Sequence, residues 1–238
     1  MGETIQCGEF SIELLRKDVK HARLVVHPPD GRVTLVAPTA TRTEVARAFA
    51  ASKLGWLRGQ RASMRSQARE PVRQFVGRES HYLWGRRYLL TVAERDEKPT
   101  VRLSHRKIAL TVRPGADREK REEVMQAWHR SVLHEVLPPL VAKWSKKLGV
   151  QVRGYFLQRM KTKWGGCNPR ARSIRINTEL VKKPKDLLEY VVVHEMLHLL
   201  EPKHSERYFD LLSKHWPSWR EARVELNELP LGAERWGR

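Results

Sequence analysis

Residues 191–204 read VVVHEMLHLLEPKH, from Val191 to His204. Inside the run stands His194-Glu195-Met196-Leu197-His198, an H-E-x-x-H pattern, and a further histidine follows at His204. In an α-helix, residues four apart stack on one face, so His194 and His198 can aim both imidazoles at one point. A tetrahedral zinc ion takes ligand nitrogens at about 2.0–2.1 Å, and two imidazoles one turn apart supply two of them. Glu195 lies beside the pair, where a general base for a metal-activated water belongs. Leu187, Leu188, Tyr190, Val192, Leu197 and Leu199 make the segment apolar on nearly all sides, which reads as a buried helix. Polar groups in such a helix are costly unless paired or metal-bound. The plain alternative is a core helix whose histidines are satisfied by hydrogen bonds.

A third ligand requires a change of direction. Pro202 disfavours the α conformation at Glu201 and tends to end the helix there. His204 then opens SERYFDLLSKHW, whose Tyr208, Phe209, Leu211 and Leu212 form an apolar face. The chain can turn back and offer His204 to the same point, with Glu206 and His215 as competitors. Three protein ligands leave a fourth position for water, the pattern of a catalytic rather than a structural zinc site.

Upstream, residues 151–185 form the most basic stretch, in which Arg153, Arg159, Lys161, Lys163, Arg170, Arg172, Arg175, Lys182, Lys183 and Lys185 face only Glu179. Within it KWGGCNPR reads as a turn or loop and SIRIN as a short strand. A strand beside the metal cleft can hold an extended peptide by backbone pairing. Trp164 can cover the cleft or stack on a base, or it is core beside a tight Gly165-Gly166 turn. Cys167, a lone cysteine far from the histidines, reads as a small packed hydrophobe.

The first part of the chain carries strand signals. Phe10, Ile12 and Leu14 alternate with polar residues; Leu24–Val26 and Val33–Val36 flank an Asp30-Gly31 hairpin signal. A helix opens near Thr43, and Arg58, Arg61, Arg65 and Arg69 extend it as a basic stripe suited to tracking phosphates or simply to solvation. Residues 81–92 read as a strand pair around Trp84-Gly85, followed by a hairpin over 101–112. A long helix starts at Asp117 and is kinked or restarted at Pro138-Pro139. Residues 217–229, PSWREARVELNEL, read as a last helix, and the tail GAERWGR reads as frayed. The expectation is an α+β chain, with a β-rich region carrying one helix over 1–115 and a helical, short-sheet domain over 116–238. There is no internal sequence repeat.

The whole chain has 238 residues, a net charge of +19 and two cysteines, Cys7 and Cys167. It is long enough for a real core. The cysteines make no disulfide scaffold, and neither a membrane span nor a secretory signal is read, so the expected compartment is the cytoplasm. The positive charge favours polyanionic partners, or reflects an Arg-rich solvated surface.

The pieces RMKTKWGGC, IRIN and YVVVHEMLHLLEPKHSERYF, with Pro217 and the basic helix after it, resemble the YgjP-like metallopeptidase family. The family pattern has W-G-S-C before an I-x-x-N strand and Y-V-x-x-H-E-x-x-H-x(5)-H; Gly166 stands where Ser is usual. The resemblance implies a zincin-like fold related to SprT-like and WLM-type proteases that act near DNA. It implies that His194, His198 and His204 bind zinc and that Glu195 is the base.

The expected function is therefore a zinc metallopeptidase with one zinc per chain, acting on protein or peptide substrates. Candidate substrate-binding residues are Arg159, Lys163, Trp164 and Asn177. Tyr208, Arg159 and Lys163 are candidates to stabilise the oxyanion, and Tyr190 stands one turn before His194. Weak, sequence-independent nucleic-acid binding through 151–185 is expected beside it. The alternatives are a metal-dependent nucleotide hydrolase and a nucleic-acid-binding module with a structural zinc site. Oligomeric state is not legible in the chain.

Overall fold

Alternation of apolar and polar residues sets up the first strands of the structure, a computed structural model that describes residues 3–27, 31–66, 72–160 and 163–228, without the side chains of 63–66. β1 (Glu3–Cys7) and β2 (Phe10–Lys17) form an antiparallel hairpin. β3 (Arg23–His27) and β4 (Arg32–Pro38) form another, at the place signalled by Asp30, which itself lies outside the described residues. β4 inserts parallel to β2, giving the order β1-β2-β4-β3. Ile5, Phe10, Ile12, Leu14, Val33 and Leu35 fill the inner face, packed with Ala46 and Ala50 of α1 (Thr43–Ala51) and Leu57 of α2 (Leu54–Ser66). The single helix expected after Thr43 is thus two, parted at Ser52-Lys53.

The arginine stripe on α2 is not a free phosphate-binding row. Arg58 pairs with Glu9 at 2.6 Å. Arg61 lies 4.0 Å from the Phe10 ring centroid and donates to the Gly31 carbonyl. The side chain of Arg65 and the whole of Arg69 lie outside the described residues. These elements form one compact unit, Met1–Ala68, and Arg69–Arg238 form the other. The sequence division at 115 falls inside the second unit.

The second unit begins with β5 (Ser80–Leu83), β6 (Arg86–Glu94), β7 (Thr100–Leu103) and β8 (Lys107–Val112). Their order is β5-β6-β8-β7, with β6 and β8 parallel and the outer pairs antiparallel. This repeats the order and strand directions of the first sheet without a sequence repeat. The β5–β6 turn docks on the segment that leads to the motif helix: the Trp84 and Gly85 N–H groups donate to the carbonyls of Val181 and Lys182. Gly85 has φ +75°, and a Cβ there would stand 3.0 Å from Pro184 Cγ, so the turn demands glycine twice over.

α3 (Arg118–Leu148) is one helix, not two. Met125, His129, Leu133, Leu137, Leu140, Trp144 and Leu148 are buried at spacings of three and four, a single inward stripe. Pro138 and Pro139 leave the carbonyls of His134 and Glu135 without helical donors. All four residues are exposed, so water can satisfy those carbonyls and the helix runs on.

A three-stranded sheet follows, of β9 (Gly154–Gln158), β10 (Gly165–Asn168) and β11 (Ser173–Asn177), in the order β10-β11-β9. The segment read as a turn at Gly165-Gly166 is therefore an edge strand, antiparallel to β11. A 3-10 turn (Thr178–Lys182) leads to α4 (Lys185–Leu197), α5 (Glu206–His215) and α6 (Trp219–Glu228). α4 is buried through Leu187, Leu188, Val191, Val192, Val193 and Met196 in a core shared with α3, β11, α5 and α6. The fold class is α+β, β-rich first and helical later. Among the described residues no helix is long and apolar enough to cross a membrane.

Candidate active site

α4 carries His194 and Glu195 in its last turn, and His198 is the residue that caps it. The helix ends before Pro202, yet His198 keeps right-handed helical angles (φ −66°, ψ −11°) and so stays one turn above His194. The chain turns through Pro202 and restarts at Ser205, whose Oγ accepts the Tyr208 N–H and caps α5. His204, just outside that cap, is thereby returned to the motif. The candidate ligand nitrogens of His194, His198 and His204 all lie within 4.8 Å of one another. Neither Glu206 nor His215 joins them; His215 packs edge-on against Trp144.

The donor set fits a zinc ion. His194 Nε2 and His204 Nε2 face each other at 3.2 Å. Two nitrogens bound to one tetrahedral zinc would be about 3.3–3.4 Å apart, given bonds of about 2.0–2.1 Å. His198 Nδ1–H donates to the Glu201 carbonyl at 3.1 Å, which leaves the Nε2 lone pair for a metal. Burial, then the charges of His198 and His204, hold His194 down at about 3. Burial also lowers His198. Burial thus favours the neutral form of His194 and His198, the form a metal ligand needs.

Tyr208 organises this cluster from below. It is fully buried, donates its hydroxyl to the His194 carbonyl at 3.1 Å, and stacks on His198 with centroids 4.7 Å apart and planes 20° apart. Its hydroxyl is therefore committed to the backbone, and burial raises its pKa. The sequence offered it as a candidate for the oxyanion; in the structure its hydroxyl bonds the backbone of α4. Tyr190 is buried against His194, ring edge to face.

Glu195 is buried beside the histidines, and burial lifts its pKa to about 8 against the opposing charge of Lys163. Gly165 of β10 makes room for it: a Cβ there would fall 2.6 Å from Glu195 Oε1. A Gly-Gly pair signals a turn as readily as a close approach, which is why this role is invisible in the sequence.

The other expected residues divide. Lys163 and Trp164 line a cavity of about 840 Å³ together with the three histidines and Glu195. Cys167 lines it too but does not join the histidine group, and burial, then the Glu195 charge, push its thiol up to about 11. Arg159 and Asn177 do not line it. Arg159 pairs with Glu122 at 3.0 Å and Glu179 at 3.5 Å. Asn177 is wholly buried and bonds the backbone of Met160, Lys163 and Glu179.

No curated protein matches the chain. Among solved structures, the metallopeptidase zymogen of Pyrococcus abyssi abylysin is 17% identical, with a TM-score of 0.35 over 37% of this chain and 89% of that one. The metallopeptidase zymogen of Methanocaldococcus jannaschii jannalysin is 18% identical, with a TM-score of 0.34 over 37% and 90%. The family described as YgjP-like, metallopeptidase domain, matches residues 20–229. That span leaves out only the two ends, and so the chain belongs to the YgjP-like family and is a metallopeptidase, an enzyme class that implies a divalent metal.

Proposed function

We propose that this metallopeptidase holds one zinc ion through His194, His198 and His204 and cleaves peptide bonds with Glu195 as general base. The observation that carries the reading is the convergence of three imidazoles beside one buried carboxylate. Zinc bound there would polarise the scissile carbonyl, acidify a water, and supply the positive charge that returns Glu195 to its carboxylate form. Glu195 then takes a proton from the attacking water and passes it to the leaving amine. Tyr208, stacked on His198, and the Glu201 carbonyl keep that imidazole oriented and in the tautomer that leaves Nε2 open. Among the described residues β10 pairs on one side only, with β11, and its Gly165, Gly166 and Cys167 border the cavity. An extended peptide can add to that free edge by backbone hydrogen bonds. Of Tyr208, Arg159 and Lys163, Lys163 is the one assigned to the carbonyl oxygen, since it lines the cleft while Arg159 pairs with Glu122 and the Tyr208 hydroxyl with the His194 carbonyl.

Metal analysis and peptide assays on Glu195→Gln test this. The variant should keep about one zinc per chain, while kcat/KM falls by roughly 10²–10⁴. His194→Ala with His198→Ala should lose the metal. Wild-type hydrolysis by Glu195→Gln would remove the base assignment. Phosphate release from nucleoside triphosphates without peptide cleavage would favour the nucleotide-hydrolase alternative.

A second reading, weak nucleic-acid binding, is favoured by the outer face of β9–β11. Phe156 is 56% exposed and lies in register with Arg175, which pairs across to Gly166. Arg153, Arg170 and Arg172 are exposed at the same sheet. By contrast Lys182 is tied to Glu179 and Lys183 is buried, and Lys161 lies outside the described residues. Arginines around an exposed ring suit phosphates and a stacked base. Affinity should fall steeply with salt, and Arg170→Glu/Arg172→Glu/Arg175→Glu should weaken it uniformly across sequences. A fluorescence titration showing no binding at low salt rejects this reading.

A further inference from the structure

The cavity extends past the histidines into a chamber walled by α4, α5 and α6, where Tyr190, Phe209, Leu212, Trp219 and Leu226 present apolar surface. One cation stands among them. Arg223 of α6 lines the cavity, and its charge reaches both His194 and Tyr190. Arg223 makes no ion pair and no hydrogen bond among the described residues. Its own helix offers it no acid: the positions three and four residues away are Arg220, Trp219, Leu226 and Asn227, while Glu221 and Glu225 are two residues off on other faces. Where this unit uses arginines for folding it pairs them, Arg118 with Glu122 and Arg121 with Glu94. The acidic group bordering the cavity is Glu195, which the proposed chemistry already employs.

We propose that Arg223 is a specificity-determining residue that receives a carboxylate of the substrate, so that the enzyme acts on peptides placing a carboxylate next to an apolar residue in this chamber. The inference rests on the peptidase reading above. A guanidinium presents a planar fork of donors that matches a carboxylate; Arg223 is itself exposed, so the geometry of the fork, and not exclusion of solvent, carries the pairing. The apolar walls accept the side chain beside that carboxylate. Two sources share this chemistry: an Asp or Glu side chain within a peptide, and a free peptide C-terminus.

The test measures binding and does not require turnover. Zinc-loaded Glu195→Gln protein is titrated, with tryptophan fluorescence as readout, against three short peptides sharing a Leu-rich frame. One carries Glu and a C-terminal amide, one carries Gln and a free C-terminal acid, and one carries Gln and the amide. At least one acidic peptide should bind about tenfold or more tightly than the neutral one, the factor expected of a charge-assisted hydrogen bond. Which acidic peptide it is identifies the source. Adding Arg223→Gln should collapse the ratio to about one, and Arg223→Lys, a point charge without the fork, should restore part of it. Zinc content and circular dichroism of each variant report on folding. Equal binding of all three peptides overturns the proposal, as does an acidic preference that survives Arg223→Gln, or binding of inorganic phosphate in place of every peptide. Hydrolysis by the parent enzyme is scored separately, so loss of the peptidase reading and loss of the carboxylate site give different results.

Discussion

Gly165 lies so close to Glu195 that an added Cβ would stand 2.6 Å from Oε1 and 2.7 Å from Cγ. Gly165→Ala should therefore displace the carboxylate while leaving the three histidines in place. Zinc content should stay near wild type and kcat/KM should drop by about 10², as small misplacements of a reacting group do. Activity within twofold of wild type would show that Glu195 has room to adapt. Gly166 meets nothing within 4 Å, so Gly166→Ser should fold and bind metal normally, with Tm shifted by less than about a degree. A second residue governs acid stability. His129 is buried on α3 with an unpartnered Nε2, and burial, then the charge of Lys182, holds it at about 3. The unfolded chain takes that proton near pH 6.5 and the native one does not. Stability is thus complete above pH 6.5 and falls towards pH 3, by about 1.4 kcal/mol per pH unit inside the window. Denaturant melts at stepped pH should show a shallower acid slope for His129→Gln. The motif histidines were legible at this scale because helical periodicity alone puts them together. The partners of Arg159 and Asn177, Glu122 and the Met160 and Lys163 backbone, were not legible because only the tertiary fold brings them together.

Among the elements, the hairpins β3–β4, β5–β6 and β7–β8 could be read from alternation and turn residues, which are local signals. The parallel pairs β2–β4 and β6–β8 could not, because nothing local specifies which strand lands between two others. β10 escaped because Gly-Gly-Cys-Asn has little strand propensity; pairing with β11 makes it a strand. α3 shows the reverse error. Two prolines argue for a break, but the helix keeps its inward stripe from Met125 to Leu148 and turns the prolines to solvent. They remain unfavourable there, since proline in a helix interior costs about 3 kcal/mol relative to alanine. Pro138→Ala with Pro139→Ala should accordingly stabilise the second unit by ~1 kcal/mol or more, part of the gain being lost to a freer unfolded chain. Urea denaturation measures it, and a destabilised double variant would show that the prolines fit a bend the helix needs.

At the scale of the molecule the candidate metal centre belongs wholly to the second compact unit. A metal that binds only folded protein stabilises by mass action the unit that holds it. Calorimetry with chelator should lower the transition of residues 69–238 by several degrees and leave that of the first unit in place; one transition moving as a whole would mean that the two units unfold together. The overall charge of +19 was plain in the composition, yet composition could not say which cations were spent on structure, as Arg58 and Arg159 are. Nor could it reveal that one strand order occurs twice. The two sheets differ in what their first turns are for. In the first the turn at Gly8-Glu9 is exposed, and a Cβ at Gly8 would meet only Leu54 at 3.7 Å. In the second the turn is wedged against Pro184, at the threshold of the helix that bears His194. Evolutionary drift is therefore unequal at equivalent places: asparagine can replace Gly8 across descendants of this chain, whereas lineages that lose Gly85 lose the seat of the helix that carries His194 and Glu195.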